Sequence, residues 1–131
     1  MAKKKSLKKE CDELWAKVVK AKANYKSEIS RKEGRQIGGE SILHAHHIKG
    51  KATYRLRYEV LNGVCLTAGE HKFGVHVQGR QDDYNRRIAE VKGKKTMELL
   101  ESISQFAVGG TSLPMVKIYL KAELTKLKGV E

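Results

Sequence analysis

The sequence has no long apolar run and few cysteines. No stretch approaches the roughly 20 apolar residues that span a membrane, and the Lys-rich beginning lacks the apolar segment of a signal peptide. We therefore expect an intracellular, cytoplasmic protein. The two cysteines, Cys11 and Cys65, lie far apart among apolar neighbours, which favours free, buried thiols over a disulfide. Neither belongs to a CxxC pair of the kind that binds metal.

The charge balance is strongly basic. A chain of 131 residues, 40% of them apolar, suits one compact domain spanning residues 1–131. Lys and Arg number 27 against 15 Asp and Glu, which gives a formal net charge of +12. Such a surface attracts polyanions, and nucleic acid is the leading candidate partner. The charge alone is also compatible with a charged helical protein that has no polyanionic partner.

Apolar residues spaced by three and four predict helices towards both ends of the chain. A basic tail at residues 1–6 is predicted to be disordered, and a helix is expected over residues 7–27 with Ser6 as its N-cap. Its apolar face is more typical of core packing than of reading a DNA groove. Further helices are expected over residues 81–128, and they could cover the core or form the face of a homodimer.

The middle of the chain is expected to contribute two strands and a helix. Residues 42–48 are short, contain β-branched side chains and are flanked by glycines, which predicts a strand. Val60 to Leu66 resembles a second strand interrupted at Asn62-Gly63, and a helix could begin at Glu70. The predicted fold class is therefore α+β and mainly helical.

All five histidines fall between residues 44 and 76, and three of them are His44, His46 and His47. Imidazole near neutral pH can accept a proton or bind a divalent metal, and adjacent residues on a strand point to opposite faces. His46 and His47 can therefore hold different roles. A nuclease needs both, a base to deprotonate water and a cation to stabilise charge on the phosphate. A single histidine is more typically structural, but the group, followed by Asn62 and His71, favours chemistry.

The run LHAHHIKGKATYRLRYEVLNGVCLTAGEHKFGVH resembles the HNH nuclease motif, especially its form in small phage-encoded HNH proteins. That motif has a strand with an acidic residue or His followed by His, then an Asn on a second strand, then a His at the start of a helix. Lys8-Lys9 through Leu14-Trp15 is similar to the Lys-rich helix, containing a Leu-Trp pair, with which such proteins often begin. The resemblance implies a ββα-metal motif over residues 42–78, which grips one divalent ion beside a scissile phosphate of DNA.

The resemblance also implies a role for each matching residue. His47 matches the general base, Asn62 the residue that orients this base, and His46 and His71 the metal ligands. His76 could be a further ligand only if the helix is distorted or the loop bends. His44 shares a strand face with His46 and is expected to support the ligands rather than to bind the ion.

Magnesium is the ion that the family implies, although two imidazoles would equally suit manganese, nickel or zinc. Many relatives hold a structural zinc ion with two CxxC pairs. The corresponding residues here are Gln36–Gly39 and Thr67–Glu70, which contain no cysteine. We therefore expect no structural zinc, and the flanking helices must hold the hairpin together.

Basic residues border the histidines and are expected to neutralise DNA phosphates without reading sequence. They are Lys49, Lys51, Arg55, Arg57 and Lys72. A solvated basic loop is the alternative interpretation. Two other functions also stay open, namely a non-catalytic DNA-binding or recombination accessory protein on the same fold and a zinc-binding interaction module.

Overall fold

The computed structural model describes residues 6–29, 43–50, 54–71, 81–106 and 112–129. The elements with both ends inside these ranges include five α-helices and one antiparallel pair of strands, in the order α1 (Leu7–Lys22), β1 (Leu43–His47), α2 (Tyr54–Tyr58), β2 (Gly63–Thr67), α3 (Gln81–Lys92), α4 (Lys94–Phe106) and α5 (Leu113–Leu127). The predicted α+β, mainly helical class is confirmed. The expectations for residues 1–5, Gln36–Gly39, Lys51, Lys72 and His76 lie outside the described residues.

Helix α1 begins at the predicted cap and ends earlier than predicted. The Ser6 hydroxyl oxygen accepts a hydrogen bond from the Lys9 backbone N–H at 3.1 Å, which satisfies one of the free donors of the first turn. The helix ends at Lys22 rather than at residue 27 because Asn24 and Tyr25 take positive φ angles of 55° and 56°. Those left-handed residues cannot continue a right-handed helix.

Strands β1 and β2 form the hairpin on which the histidines lie. In its antiparallel register Ala45 is opposite Cys65, His46 is opposite Val64 and His47 is opposite Gly63. The interruption expected at Asn62-Gly63 is a 3-10 turn over Val60–Asn62, and β2 starts at Gly63 directly after it. Residues 68–71 are helical, so the predicted helix starts before Glu70, and its continuation lies outside the described residues.

The hairpin is packed on both faces. One face joins a core between α1 and α5 that includes Trp15, Cys65 and Leu120. The other face joins a second cluster, in which Val64 and Leu66 pack with Ile29 and Ile88. Paired residues of an antiparallel sheet share a face, so His44 and His46 lie on the side of Val64 and Leu66, while His47 lies on the side of α1.

The cysteines and the C-terminal helices follow their predictions. Cys11 and Cys65 are free and buried, and burial raises the pKa of the Cys65 thiol to about 11. Helices α3 and α4 are separated at Gly93, whose φ is +89°, and α5 follows Ser112. None of the described helices is both long enough and apolar enough to cross a bilayer.

Candidate active site

The pleat of β1 separates the histidines into two groups. His47 faces α1, whereas His44 and His46 face the side on which His71 lies, after the end of β2. The strand alternation expected from the sequence is therefore present, and it gives the two neighbouring residues His46 and His47 different surroundings.

The contacts that hold the His47 ring include a stacked aromatic ring and a backbone carbonyl. Its ring stacks on the Trp15 indole with the centroids 3.9 Å apart and the planes only 4° from parallel. Its Nε2 atom lies 2.9 Å from the Arg57 carbonyl oxygen. Because a carbonyl oxygen can only accept, Nε2 carries the hydrogen of this bond, and in the neutral ring the basic nitrogen is then Nδ1.

The groups that hold His47 are themselves fixed by long-range hydrogen bonds. The Trp15 indole N–H donates to the Glu59 carbonyl oxygen at 2.9 Å. The Arg57 guanidinium makes two bonds of 2.7 Å to the Asp12 carboxylate, and this pairing raises the pKa of Arg57 further above its ordinary value. Asp12 and Trp15 are three residues apart on α1, so one face of that helix supports the His47 ring directly and through α2.

Asn62 is fully buried and binds backbone rather than imidazole. Its Oδ1 accepts from the Lys49 N–H at 2.8 Å, and its Nδ2 donates to the Lys49 and Leu56 carbonyl oxygens at 3.1 and 2.9 Å. The family resemblance predicts that Asn62 orients the His47 ring. Asn62 joins the residues after β1 to α2 by binding the Leu56 carbonyl. The carbonyl of the following residue, Arg57, contacts His47. The orienting effect of Asn62 is therefore indirect.

His44, His46 and His71 form a cluster of imidazole rings on the face of β1 opposite His47. The His44 and His71 Nδ1 atoms are 3.0 Å apart, and their rings meet edge to face. The His46 ring centroid lies 5.0 Å from that of His71. The two predicted metal ligands are thus neighbours, and His44 lies within hydrogen-bonding distance of His71. As the side chains stand, no group of three or more His, Cys, Asp or Glu within the described ranges is arranged around a common metal position.

His71 follows a hydrogen-bonded turn that fixes its backbone. The Glu70 N–H donates to the Thr67 hydroxyl oxygen at 3.0 Å, while the Thr67 N–H donates to Glu70 Oε1 at 2.8 Å. This reciprocal pair is a capping box, which anchors the first turn after β2. The buried Ser27 hydroxyl also donates to Glu70 Oε1, so the segment after α1 is tied to the same turn.

The described basic residues of the predicted phosphate surface differ in their surroundings. Arg57 is paired with Asp12, and Lys49 with Glu101, whose pKa this hydrogen bond lowers. Arg55 lies exposed on α2. Sequence reasoning missed the Asp12 and Trp15 contacts. The similarity of Leu14-Trp15 to a recurrent family segment was a signal that this helix does more than cover a core.

Comparisons of the chain with protein-family models, with curated proteins and with solved structures found no match.

Proposed function

We propose that this protein is a metal-dependent DNA endonuclease of the HNH type. The observation that carries the proposal is the oriented His47 ring, held between Trp15 and the Arg57 carbonyl on one face of β1, with the His44, His46 and His71 rings on the other face. Hydrolysis of a phosphodiester uses a base to activate water and a cation to offset the charge that develops on the phosphate, and β1 carries candidate residues for both roles.

His47 acts as the general base in this mechanism. With Nε2–H donated to the Arg57 carbonyl, the Nδ1 lone pair takes a proton from water as the oxygen attacks phosphorus in line. The ring becomes an imidazolium, which the Trp15 π-face can stabilise because it is stacked against that ring. The Asp12–Arg57 pair and Asn62 keep the accepting carbonyl in place during the step.

His46 and His71 suit a divalent ion because neutral imidazoles leave its positive charge available. When bound there, the ion would offset charge on the phosphate and on the leaving 3′ oxygen. Magnesium is the ion that the family resemblance implies. Manganese, nickel and zinc are the alternatives, and of these nickel and zinc suit imidazole best. The capping box of Thr67 and Glu70 keeps His71 beside β1.

DNA is the proposed substrate because the chain carries a net charge of +12 and basic side chains border the histidines. Arg55 is the described member best suited to a phosphate contact, since it is exposed on α2. Arg57 is better suited to supporting His47, because its guanidinium is already engaged by Asp12.

The test is incubation with supercoiled plasmid, linear duplex and four-way junction in Mg²⁺, Mn²⁺, Ni²⁺ and Zn²⁺. We expect cleavage by the wild-type chain and a loss of at least about 100-fold for His47→Ala, the range for removing a general base, with DNA affinity retained. The exposed α3 substitution Asn85→Ala is the control and should cleave normally. DNA binding without cleavage by any of these chains would instead identify a non-catalytic accessory protein.

A further inference from the structure

The close approach of His44 to His71 is not needed for an HNH centre that uses His46 and His71 alone. Both nitrogens in this contact are Nδ1 atoms, 3.0 Å apart, on rings that are 89° from coplanar. From this contact, and resting on the proposed function, we propose that His44 is a metal ligand. His44, His46 and His71 then form a three-imidazole site that prefers a transition metal to magnesium.

The separation of the two nitrogens suits a shared ion. With metal–nitrogen bonds of about 2.1 Å, two ligands of one ion lie about 3.0 Å apart at a right angle and about 3.4 Å apart at the tetrahedral angle. The observed 3.0 Å falls at the first of these values. An ion bound by both Nδ1 atoms would keep this separation, with each ring rotated so that its lone pair points at the ion.

The same distance also fits an N–H···N hydrogen bond between the rings, which is the arrangement expected without metal. In that bond one Nδ1 carries the hydrogen. When the ion binds, both lone pairs face it and the hydrogen is carried on Nε2 of each neutral ring. The change is a tautomer shift with no net release of protons, accompanied by rotation of the two rings.

His46 supplies the third ligand by rotation of its side chain. It shares a strand face with His44, and its ring centroid is already 5.0 Å from that of His71. Three imidazole nitrogens favour the borderline transition metals, whereas magnesium prefers oxygen ligands. Oε1 of Glu70, on the carboxylate next to His71, is already engaged by Ser27 and Thr67.

The experiment is a titration of the full chain with Co²⁺, followed by its visible absorption bands, and competition of the bound Co²⁺ by Zn²⁺ and by Mg²⁺. We expect His44→Gln to weaken Co²⁺ binding by more than about 100-fold, beyond the 10- to 100-fold that a residue behind a metal ligand contributes. A smaller loss would instead identify His44 as a residue that supports the ligands. His47→Gln, which removes a ring on the opposite strand face, is the matched control and should bind Co²⁺ as the wild type does. Mg²⁺ should displace Co²⁺ far less readily than Zn²⁺ does.

A second variant distinguishes loss of a metal ligand from loss of the fold. His44→Asp keeps a ligand at this position but replaces nitrogen with oxygen, so the chain should retain Co²⁺ binding with altered absorption bands. Mn²⁺ should displace Co²⁺ from this variant more readily than from the wild type. Co²⁺ affinity and bands unchanged in a folded His44→Gln chain would overturn the assignment and leave the nitrogen contact as a hydrogen bond.

Plasmid cleavage on the same samples separates this inference from the proposed function. Cleavage by the wild type together with His44-independent Co²⁺ binding contradicts the ligand assignment alone. His44-dependent Co²⁺ binding without cleavage contradicts the nuclease proposal alone, because the metal site would then serve another purpose.

Discussion

At the scale of single residues, Trp15 joins the hydrophobic core to the candidate catalytic base. It is 3% exposed, donates to the Glu59 carbonyl and offers one face of its indole to His47. A ring fixed in this way limits rotation of the imidazole. A base that already has its reactive orientation loses less conformational entropy when water and phosphate bind.

Substituting Trp15 tests the stacking. Trp15→Phe and Trp15→Leu both remove the N–H donor, so the difference between them reports the aromatic ring. An aromatic pair contributes about 0.5–1.5 kcal/mol beyond burial, and we therefore expect Trp15→Leu to cleave DNA roughly three- to tenfold more slowly than Trp15→Phe. Circular dichroism at the assay temperature establishes that both chains are folded. Equal cleavage rates for the two folded variants would show that stacking has no part in orienting His47.

Asn62 is expected to be a stability determinant as well as a positioning residue. Asn62→Ala leaves three backbone groups, the Lys49 N–H and the Lys49 and Leu56 carbonyls, without their amide partner. We expect the free energy of unfolding in urea to fall by about 1–3 kcal/mol. Asn85→Ala, at an exposed position of α3, should change it by less than about 0.5 kcal/mol. Equal unfolding midpoints for the two variants would contradict the role assigned to Asn62.

The sequence allowed the opposite orientations of His46 and His47 to be predicted, because strand alternation is a local property. It did not allow the partners of His47 to be predicted. The bond from Trp15 to Glu59 spans 44 residues and that from Arg57 to Asp12 spans 45, and such pairings depend on how α1 docks on the hairpin. For the same reason the sequence does not predict that Asn62 binds the Lys49 and Leu56 backbone.

At the scale of elements, the contact between α1 and the start of β2 is very close. A Cβ atom added at Gly63 would collide with the Val19 side chain and with the Trp15 ring. Gly63 has a φ of −112°, which any residue adopts, so it is the lack of space rather than the backbone conformation that requires glycine here.

Gly63→Ala should therefore push α1 away from the hairpin. We expect a loss of about 1–3 kcal/mol in the free energy of unfolding, the range for overpacking a core, and slower cleavage because Trp15 moves with the helix. Gly50→Ala is the matched control, since a Cβ at that position meets no atom within 4 Å. Thermal unfolding of both variants is the measurement. A Gly63→Ala chain as stable as the control would show that the helix can shift without loss.

The long helices could be predicted from the spacing of their apolar residues, but the short helix could not. Helices α1, α3, α4 and α5 have apolar residues that recur over several turns, and the predicted helices are present. The short helix α2, Tyr54–Tyr58, was not predicted because five residues are too few to show a helical period. It is stabilised by tertiary contacts, among them the Arg57–Asp12 pair and the packing of Tyr58 in the core.

At the scale of the whole molecule, the net charge of +12 and the local charges near the site make different predictions. Net charge attracts DNA over the whole surface, whereas a phosphate contact beside the histidines acts at one place. Many cations on the surface are paired with carboxylates. Arg86, for example, contacts both Asp83 and Glu90 on α3.

DNA affinity measured against salt concentration separates the two contributions. If Arg55 contacts a phosphate, Arg55→Ala should lower the slope of log affinity against log salt by about one unit. Arg86→Ala changes the net charge by the same amount but removes a cation that is paired within α3, so its slope should stay near that of the wild type. Fluorescence anisotropy with a short duplex gives both slopes. Equal changes of slope in the two variants would mean that DNA affinity depends on the total charge of the molecule. That result would contradict a phosphate contact by Arg55 beside the histidines.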